Sequence, residues 1–223
     1  MVLLSIDTAT EYAGVCLSGE NGIFSIKENA EQKSHASFVQ PAIAAMLAET
    51  ALKIQDINGV IVSNGPGSYT GLRVGLASAK GLCYALNKPL ILVNTLKAMA
   101  LACAEAEQNQ TALYCPMIDA RRMEVFTAAY NFFMEEKTAP CSLIIETESF
   151  EEILNMQTVI FSGNGATKCE KIISHPNAKF SSVHHSVKQV ATLGQKAFLL
   201  KDFADLAYSE PYYFKEFYTP VKK

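Results

Sequence analysis

The sequence predicts an α/β protein built from two duplicated halves that face one another across a cleft, each a mixed sheet with flanking helices. Two observations carry this expectation. The stretch "SIDTATEYAGVCL", beginning at Ser5, recurs in kind as "MIDARRMEVFTAA", beginning at Met117. Likewise "GVIVSNGPG", from Gly59, recurs as "TVIFSGNGA", from Thr158. Each half therefore has a strand that ends in Ile-Asp and leads into a hairpin. A later strand in each ends in a Gly-rich turn that enters a helix. One such likeness can arise by chance, but two in the same order argue for an internal duplication. The halves divide as residues 1–108 and 109–223.

The elements follow in order. "VLLSIDTAT", "YAGVCLSG" and "IFSIKE" read as three antiparallel strands, with Asn21-Gly22 as the hairpin signal. Residues 37–50, "SFVQPAIAAMLAET", form a helix with Phe38, Ile43, Met46 and Leu47 inward, and Pro41 is tolerable only in its first turn. "GVIVSN" is a buried strand, "GLRVGLASAKGLCYAL" a helix, "PLILVN" a strand, and Thr95 caps the helix "LKAMALACAEAEQ". The second half gives strands at "ALYCPMIDA", "MEVFTAAY", "APCSLIIET" and "TVIFSG". Its helices start near Phe150 and Ala166, and a final one runs through "VKQVATLGQKAFLL".

Composition narrows the function. With 223 residues, 49% hydrophobic and 18% charged, the chain can bury a sizeable core. A net charge of −3 and the absence of a basic stripe argue against a stand-alone nucleic-acid binder; the nearest candidate is "FKEFYTPVKK". The six cysteines are scattered without C-x-x-C spacing, so metal knuckles and a disulfide framework are not expected. "MVLLSIDTAT" lacks a basic n-region, and no apolar run reaches membrane-spanning length, so a cytoplasmic protein is expected.

The chemistry centres on "SNGPGSYTGLRVG". Gly65 and Gly67 bracket Pro66 after a buried strand, and Ser68 and Thr70 offer caps for a helix beginning near Gly71. Free N–H groups there suit an anion, although the P-loop lysine is missing and a plain capped turn remains the alternative. Inside the helix Gly71, Gly75 and Ala79 recur every four residues. Each interior glycine costs about 1 kcal/mol against alanine, so something approaches closely. That something is either the protein's own sheet or a helix of another chain. Leu72, Leu76 and Leu82 supply a second apolar side, which favours a partner.

Asp7 and Asp119 end equivalent strands and are candidates for a hydrated Mg²⁺ beside phosphates, or for hydrogen bonds within their own hairpins. Gly163 and Gly165, in "SGNGA", are candidates for a nucleoside contact or a simple turn. His184 and His185 read as exposed loop, and no nucleophile motif or metal-ligand set is apparent.

These residues resemble a known family. "IDTAT", "SNGPGSYTGLRVGLASAKGLCYALNKPLILVNTLKAMA" and "PYYFKEF" are similar to the TsaB (YeaZ) family of bacterial tRNA threonylcarbamoyladenosine biosynthesis. The resemblance implies the actin, sugar-kinase and heat-shock-chaperone ATPase superfold, two ribonuclease H-like lobes. It implies pairing with TsaD, the related catalytic subunit, and a larger complex with TsaE that transfers threonylcarbamoyl to the adenosine beside the tRNA anticodon. The tRNA is then met indirectly, and a homodimer through the same surface is an alternative for the isolated chain. The catalytic relative carries H-x-x-x-H for its metal, where "SHASFVQ" keeps only His35, so no metal and no catalytic residue are expected here. The family's dimer helices map to residues 37–50 and 71–86, which places Phe38, Ile43, Gly71, Leu72, Arg73, Gly75, Leu76 and Ala79 at the partner interface. ATP or ADP with Mg²⁺ near that interface is the candidate cofactor. The rival readings are an ATP-dependent small-molecule kinase of the same superfold, a regulatory nucleotide site, and a protease.

Overall fold

The computed structural model describes residues 1–30 and 35–214. The basic tail "KEFYTPVKK" lies outside them, as does the end of "PYYFKEF". Ten strands form two five-stranded mixed sheets. The first contains β1 (Leu3–Asp7), β2 (Ala13–Gly19), β3 (Gly22–Asn29), β4 (Gly59–Gly65) and β5 (Leu90–Asn94), in the order β3-β2-β1-β4-β5. The second contains β6 (Leu113–Asp119), β7 (Glu124–Tyr130), β8 (Glu136–Ile144), β9 (Val159–Ser162) and β10 (Ala178–Ser181). Read from its far edge its order is β8-β7-β6-β9-β10, the same topology as the first. In both, the central strand pairs antiparallel with the next strand in sequence and parallel with the fourth. The duplication expected from the repeats is therefore the architecture.

Among the described residues six α-helices accompany the sheets: α1 (His35–Glu49), α2 (Tyr69–Leu86), α3 (Thr95–Glu107), α4 (Glu151–Met156), α5 (Ala166–Cys169) and α6 (Val187–Leu199). Caps fix their starts. Ser68 accepts from the Gly71 N–H at α2, and Ser186 with Gln189 forms a capping box at α6. At α3 the cap is Asn94, which accepts from the Lys97 N–H, and not the expected Thr95; Thr95 is the first helical residue and fully buried. Pro41 lies well inside α1, because the helix begins at His35 rather than Ser37; the ring is on the exposed side. The hairpin between β2 and β3 pairs Gly19 with Gly22, so the turn is centred on Glu20-Asn21, one residue before the expected dipeptide.

The boundary at residue 108 divides the sheets but not the helices. α6, from the second half, packs on β1, β2, β4 and β5 of the first sheet, with Val190 in one core cluster with Leu3, Ile61, Ile91 and Val93. α3, from the first half, lies on β6 and β7 of the second sheet, where Leu96, Met99, Ala100 and Cys103 join Tyr114, Ile118 and Ile160. The two helices also touch each other, so the halves exchange their last helices across the interface.

Beyond α6 the chain runs back along α2 as a strap. Ala204 bridges to Leu90 at the sheet edge, and Lys80 Nζ donates to the carbonyls of Ala207 (3.2 Å) and Ser209 (3.0 Å). The Tyr212 N–H donates to the Asn64 carbonyl at 2.7 Å, and the Phe214 ring stacks on Phe126 of β7 with centroids 5.2 Å apart. Among the described residues no helix is long and apolar enough to cross a membrane.

Candidate functional site

The duplication sets Asp7 and Asp119 at equivalent strand ends, yet their surroundings differ. Asp7 is 1% exposed. Its carboxylate accepts from Ser63 Oγ of β4 at 2.5 Å, from the Ala9 N–H at 3.0 Å, and lies 3.0 Å from His185 Nε2. Burial pushes its pKa upward, but the His185 hydrogen bond and charge, Ser63 and Ala9 together hold it below its ordinary 3.8. Both carboxylate oxygens of Asp7 are thus engaged within the protein, Oδ1 by Ser63 and Ala9 and Oδ2 by His185. His185, expected in an exposed loop, is 6% exposed and is the partner that makes this buried carboxylate tolerable. Its neighbour His184 is exposed as expected and packs its ring on Tyr12.

Asp119 is exposed and stays at the cleft. Partial burial works to raise its pKa, but a hydrogen bond from Lys168, the Arg121 N–H and the Lys168 charge lower it on balance. Lys168 Nζ, from α5, reaches Asp119 Oδ1 (2.5 Å) and the carbonyls of Arg122 (2.9 Å) and Glu124 (2.6 Å). Beside it Asn164, which sequence reasoning passed over within "SGNGA", joins the lobes. Its Oδ1 accepts from the Asp119 N–H (2.9 Å), and its Nδ2 donates to Glu11 of the first half (3.2 Å).

Between the lobes lies a cleft of about 470 Å³, walled by Thr10, Glu11, Gly67, Ser68, Tyr69, Thr70, Asp119, Arg121 and Asn164. Ser68 and Thr70 stand there as expected, at the start of α2. Gly67 borders the cleft, but its missing side chain makes room for the backbone that follows β1: a Cβ on it would lie 2.2 Å from the Ala9 carbonyl oxygen. Gly65 is buried against the strap, where a Cβ would meet the Tyr212 carbonyl oxygen at 2.7 Å. Gly163, at φ +90°, lines a second cavity of about 450 Å³ with Asn164, Thr167, Glu170, Phe180 and His184. Gly165 is buried and donates its N–H to the Met117 carbonyl. The glycine-rich block thus works chiefly as close packing. Thr10 Oγ1, at the cleft wall, is buried with no hydrogen-bond partner among the described residues.

The row Gly71, Gly75, Ala79 is also spent inside the lobe. A Cβ on Gly71 would lie 2.0 Å from the Thr8 carbonyl oxygen, and one on Gly75 2.4 Å from Thr8 Oγ1. Thr8 Oγ1 in turn donates to the Gly71 carbonyl at 2.7 Å. Ile43, Leu72, Leu76 and Ala79 are buried as well, in the core of the first lobe. They therefore lie beneath the outer surface of α1 and α2. Phe38 is half-buried, and the exposed Arg73 is held by the strap, its Nε 3.2 Å from Tyr213 Oη and its guanidinium 4.1 Å over the Tyr69 ring. The exposed residues further along α2 are Ala77, Gly81, Tyr84 and Ala85, with Tyr84 83% exposed; those of α1 include Ala44, Ala45 and Ala48. Sequence reasoning followed the inward row Gly71, Gly75, Ala79 and passed over the exposed small residues Ala77 and Gly81 on the other side of α2.

Comparison with known proteins now bears on these features. The family model described as "TsaD: tRNA N6-adenosine threonylcarbamoyltransferase" matches residues 26–218. The TsaB protein of Bacillus subtilis, named for tRNA threonylcarbamoyladenosine biosynthesis, is 32% identical over 132 residues, covering 59% of this chain and 56% of that one. That of Haemophilus influenzae is 36% identical over 126 residues, covering 56% and 52%. The match thus spans about half the length of these curated relatives. A solved Pseudomonas aeruginosa structure, described as an uncharacterized protein with similarity to peptidase YEAZ, superposes with a TM-score of 0.83 at 23% identity, covering 96% of this chain and 99% of that one. It shows the same fold. The chain belongs to the TsaD family, and within that family it is similar to the TsaB proteins.

Proposed function

We propose that this chain is a non-catalytic partner subunit in the formation of threonylcarbamoyladenosine in tRNA. It binds a TsaD-type catalytic subunit and activates it for transfer of threonylcarbamoyl to the adenosine beside the anticodon. A TsaE-type ATPase joins the larger complex, and tRNA is contacted mainly through the catalytic subunit. The observation that carries this reading is the outer face of α1 and α2. Ala44 and Ala48 of α1 and Ala77 and Gly81 of α2 are small and exposed, and α2 also exposes the Tyr84 ring, so another chain's helices can approach closely and use an aromatic anchor. The same face serves a homodimer when the partner is absent.

The polar groups of the cleft support a non-catalytic role. Ser63 and His185 both address Asp7 rather than each other, so they make no nucleophile–base pair of the kind the protease reading needs. Lys168 and Asp119 neutralise one another. A second reading, that the cleft holds ATP or ADP with Mg²⁺ as a regulatory site, draws support from the unpartnered Thr10 hydroxyl beside the start of α2. The kinase reading would add turnover to that binding, for which the cleft supplies no unengaged base in Asp7 or Asp119.

The interface is tested by titrating the catalytic subunit of the same organism with Gly81→Arg and Tyr84→Ala variants. Gly81 has nothing within 4 Å of where a Cβ would stand, so Gly81→Arg is expected not to destabilise the isolated chain. Each variant is expected to weaken partner binding by about tenfold or more. Unchanged affinity in both would place the interface elsewhere.

A further inference from the structure

The second lobe carries a cavity that the cleft and the partner face do not use. In the first lobe the fifteen-residue α1 covers β2 and β3. Its counterpart α4 has only six residues. The shortfall leaves a hollow of about 350 Å³ between the first turn of α4 and strands β7 and β8. That volume falls at the small end of the range for ligand pockets, roughly 300–1,000 Å³.

Its chemistry is uneven from floor to mouth. Ala129, Cys141, Leu143, Phe150 and Ile153 make apolar walls. Thr127 stands among them, on the same side of β7 as Val125 and Ala129, which face α4 and α5 in the core. It is 2% exposed, and its Oγ1 has no hydrogen-bond partner among the described residues. A buried hydroxyl left in this state is unfavourable, and a ligand that reaches it removes that cost. At the mouth are the exposed carboxylates Glu148, Glu151 and Glu152. No lysine or arginine is among the described residues that line the hollow.

We propose that this hollow binds a small ammonium compound with an aromatic or alicyclic body and a hydroxyl or carbonyl at the end opposite its charge. The body fills the apolar walls, the far polar group meets Thr127 Oγ1, and the ammonium stays at the rim among the three glutamates. An anion of the same shape meets only like charge at the mouth. The site is on the outer side of the second sheet, so its occupancy is independent of the cleft and of partner binding.

The test is a titration of the whole protein with tyramine, followed by the backbone amide signals of a ¹⁵N-labelled sample. Phenethylamine and 4-hydroxyphenylacetate serve as comparison probes. For a ligand of this size a saturable Kd on the order of 1 mM or tighter is expected, with shifts confined to β7, β8 and α4. 4-Hydroxyphenylacetate should bind at least about tenfold more weakly, as should tyramine to the Glu151→Gln/Glu152→Gln variant. Thr127→Val keeps the shape, leaves the unfolding midpoint unchanged or raised, and removes the preference for tyramine over phenethylamine. Failure to saturate, shifts centred elsewhere, equal binding of the carboxylate, or a preference that survives Thr127→Val would each overturn the proposal.

Discussion

Replacing His185 by alanine is expected to destabilise the protein by about 3–5 kcal/mol, because it strips a buried carboxylate of the side chain that lies 3.0 Å from its Oδ2. Ser63 and the Ala9 N–H remain, but both address Oδ1, so Oδ2 loses its partner inside the fold. The pH profile carries the same signature. Asp7 titrates below its ordinary 3.8 in the folded protein, so its stabilising share is fully present above the unfolded value. That share is lost as the pH falls through the lower folded value. In His185→Ala the folded value rises, and the acid-side loss of stability moves to higher pH. Urea unfolding between neutral and acidic pH measures both effects. A double-mutant cycle with Asp7→Asn separates the pair from simple loss of packing. A His185→Ala protein within about 1 kcal/mol of the parent, with an unmoved acid limb, would contradict the arrangement.

Two glycines of one helix should respond in opposite directions. Gly71→Ala places a Cβ 2.0 Å from the Thr8 carbonyl oxygen, a backbone atom of the buried residue that follows β1. The helix must lift from the sheet, and the expected loss lies at or above the upper end of the usual overpacking range of about 1–3 kcal/mol. Gly81→Ala meets nothing within 4 Å and should gain roughly 0.5–1 kcal/mol from helix propensity. Both effects belong to the isolated chain and require no partner. Thermal unfolding of the two variants reads the difference directly. A tolerated Gly71→Ala would mean that the glycine row faces outward after all.

Much of the fold was legible because it repeats. Ile-Asp at the ends of β1 and β6, and glycine turns after β4 and β9, fix equivalent points in two sheets of one topology. Where the reading failed, the cause was non-local. The exchange of α3 and α6 leaves no local mark, since an amphipathic helix reads the same whichever sheet it covers. Strand β10 was missed because "AKFS" is a short edge strand whose largest apolar residue is Phe180. The candidate site was legible in position but not in use. Asp7 and Asp119 look alike in sequence, and only the arrival of α6 brings His185 to one while α5 brings Lys168 to the other. The glycines correctly announced a close approach. Whether it was to Thr8 or to another chain depended on which side of α2 faces β1.

The proposed function is that this chain activates a catalytic partner and does no chemistry itself. Its most direct test is a reconstituted threonylcarbamoyl-transfer assay on tRNA, with the TsaD-type subunit, this chain and a TsaE-type ATPase from the same organism. The parent chain is compared with Gly81→Arg, and each component is also assayed alone. The prediction is that transfer requires the catalytic subunit and this chain together, that this chain alone gives none, and that Gly81→Arg lowers the rate in step with its weaker binding. Transfer by the catalytic subunit at the same rate without this chain, or turnover by this chain alone, would contradict the claim.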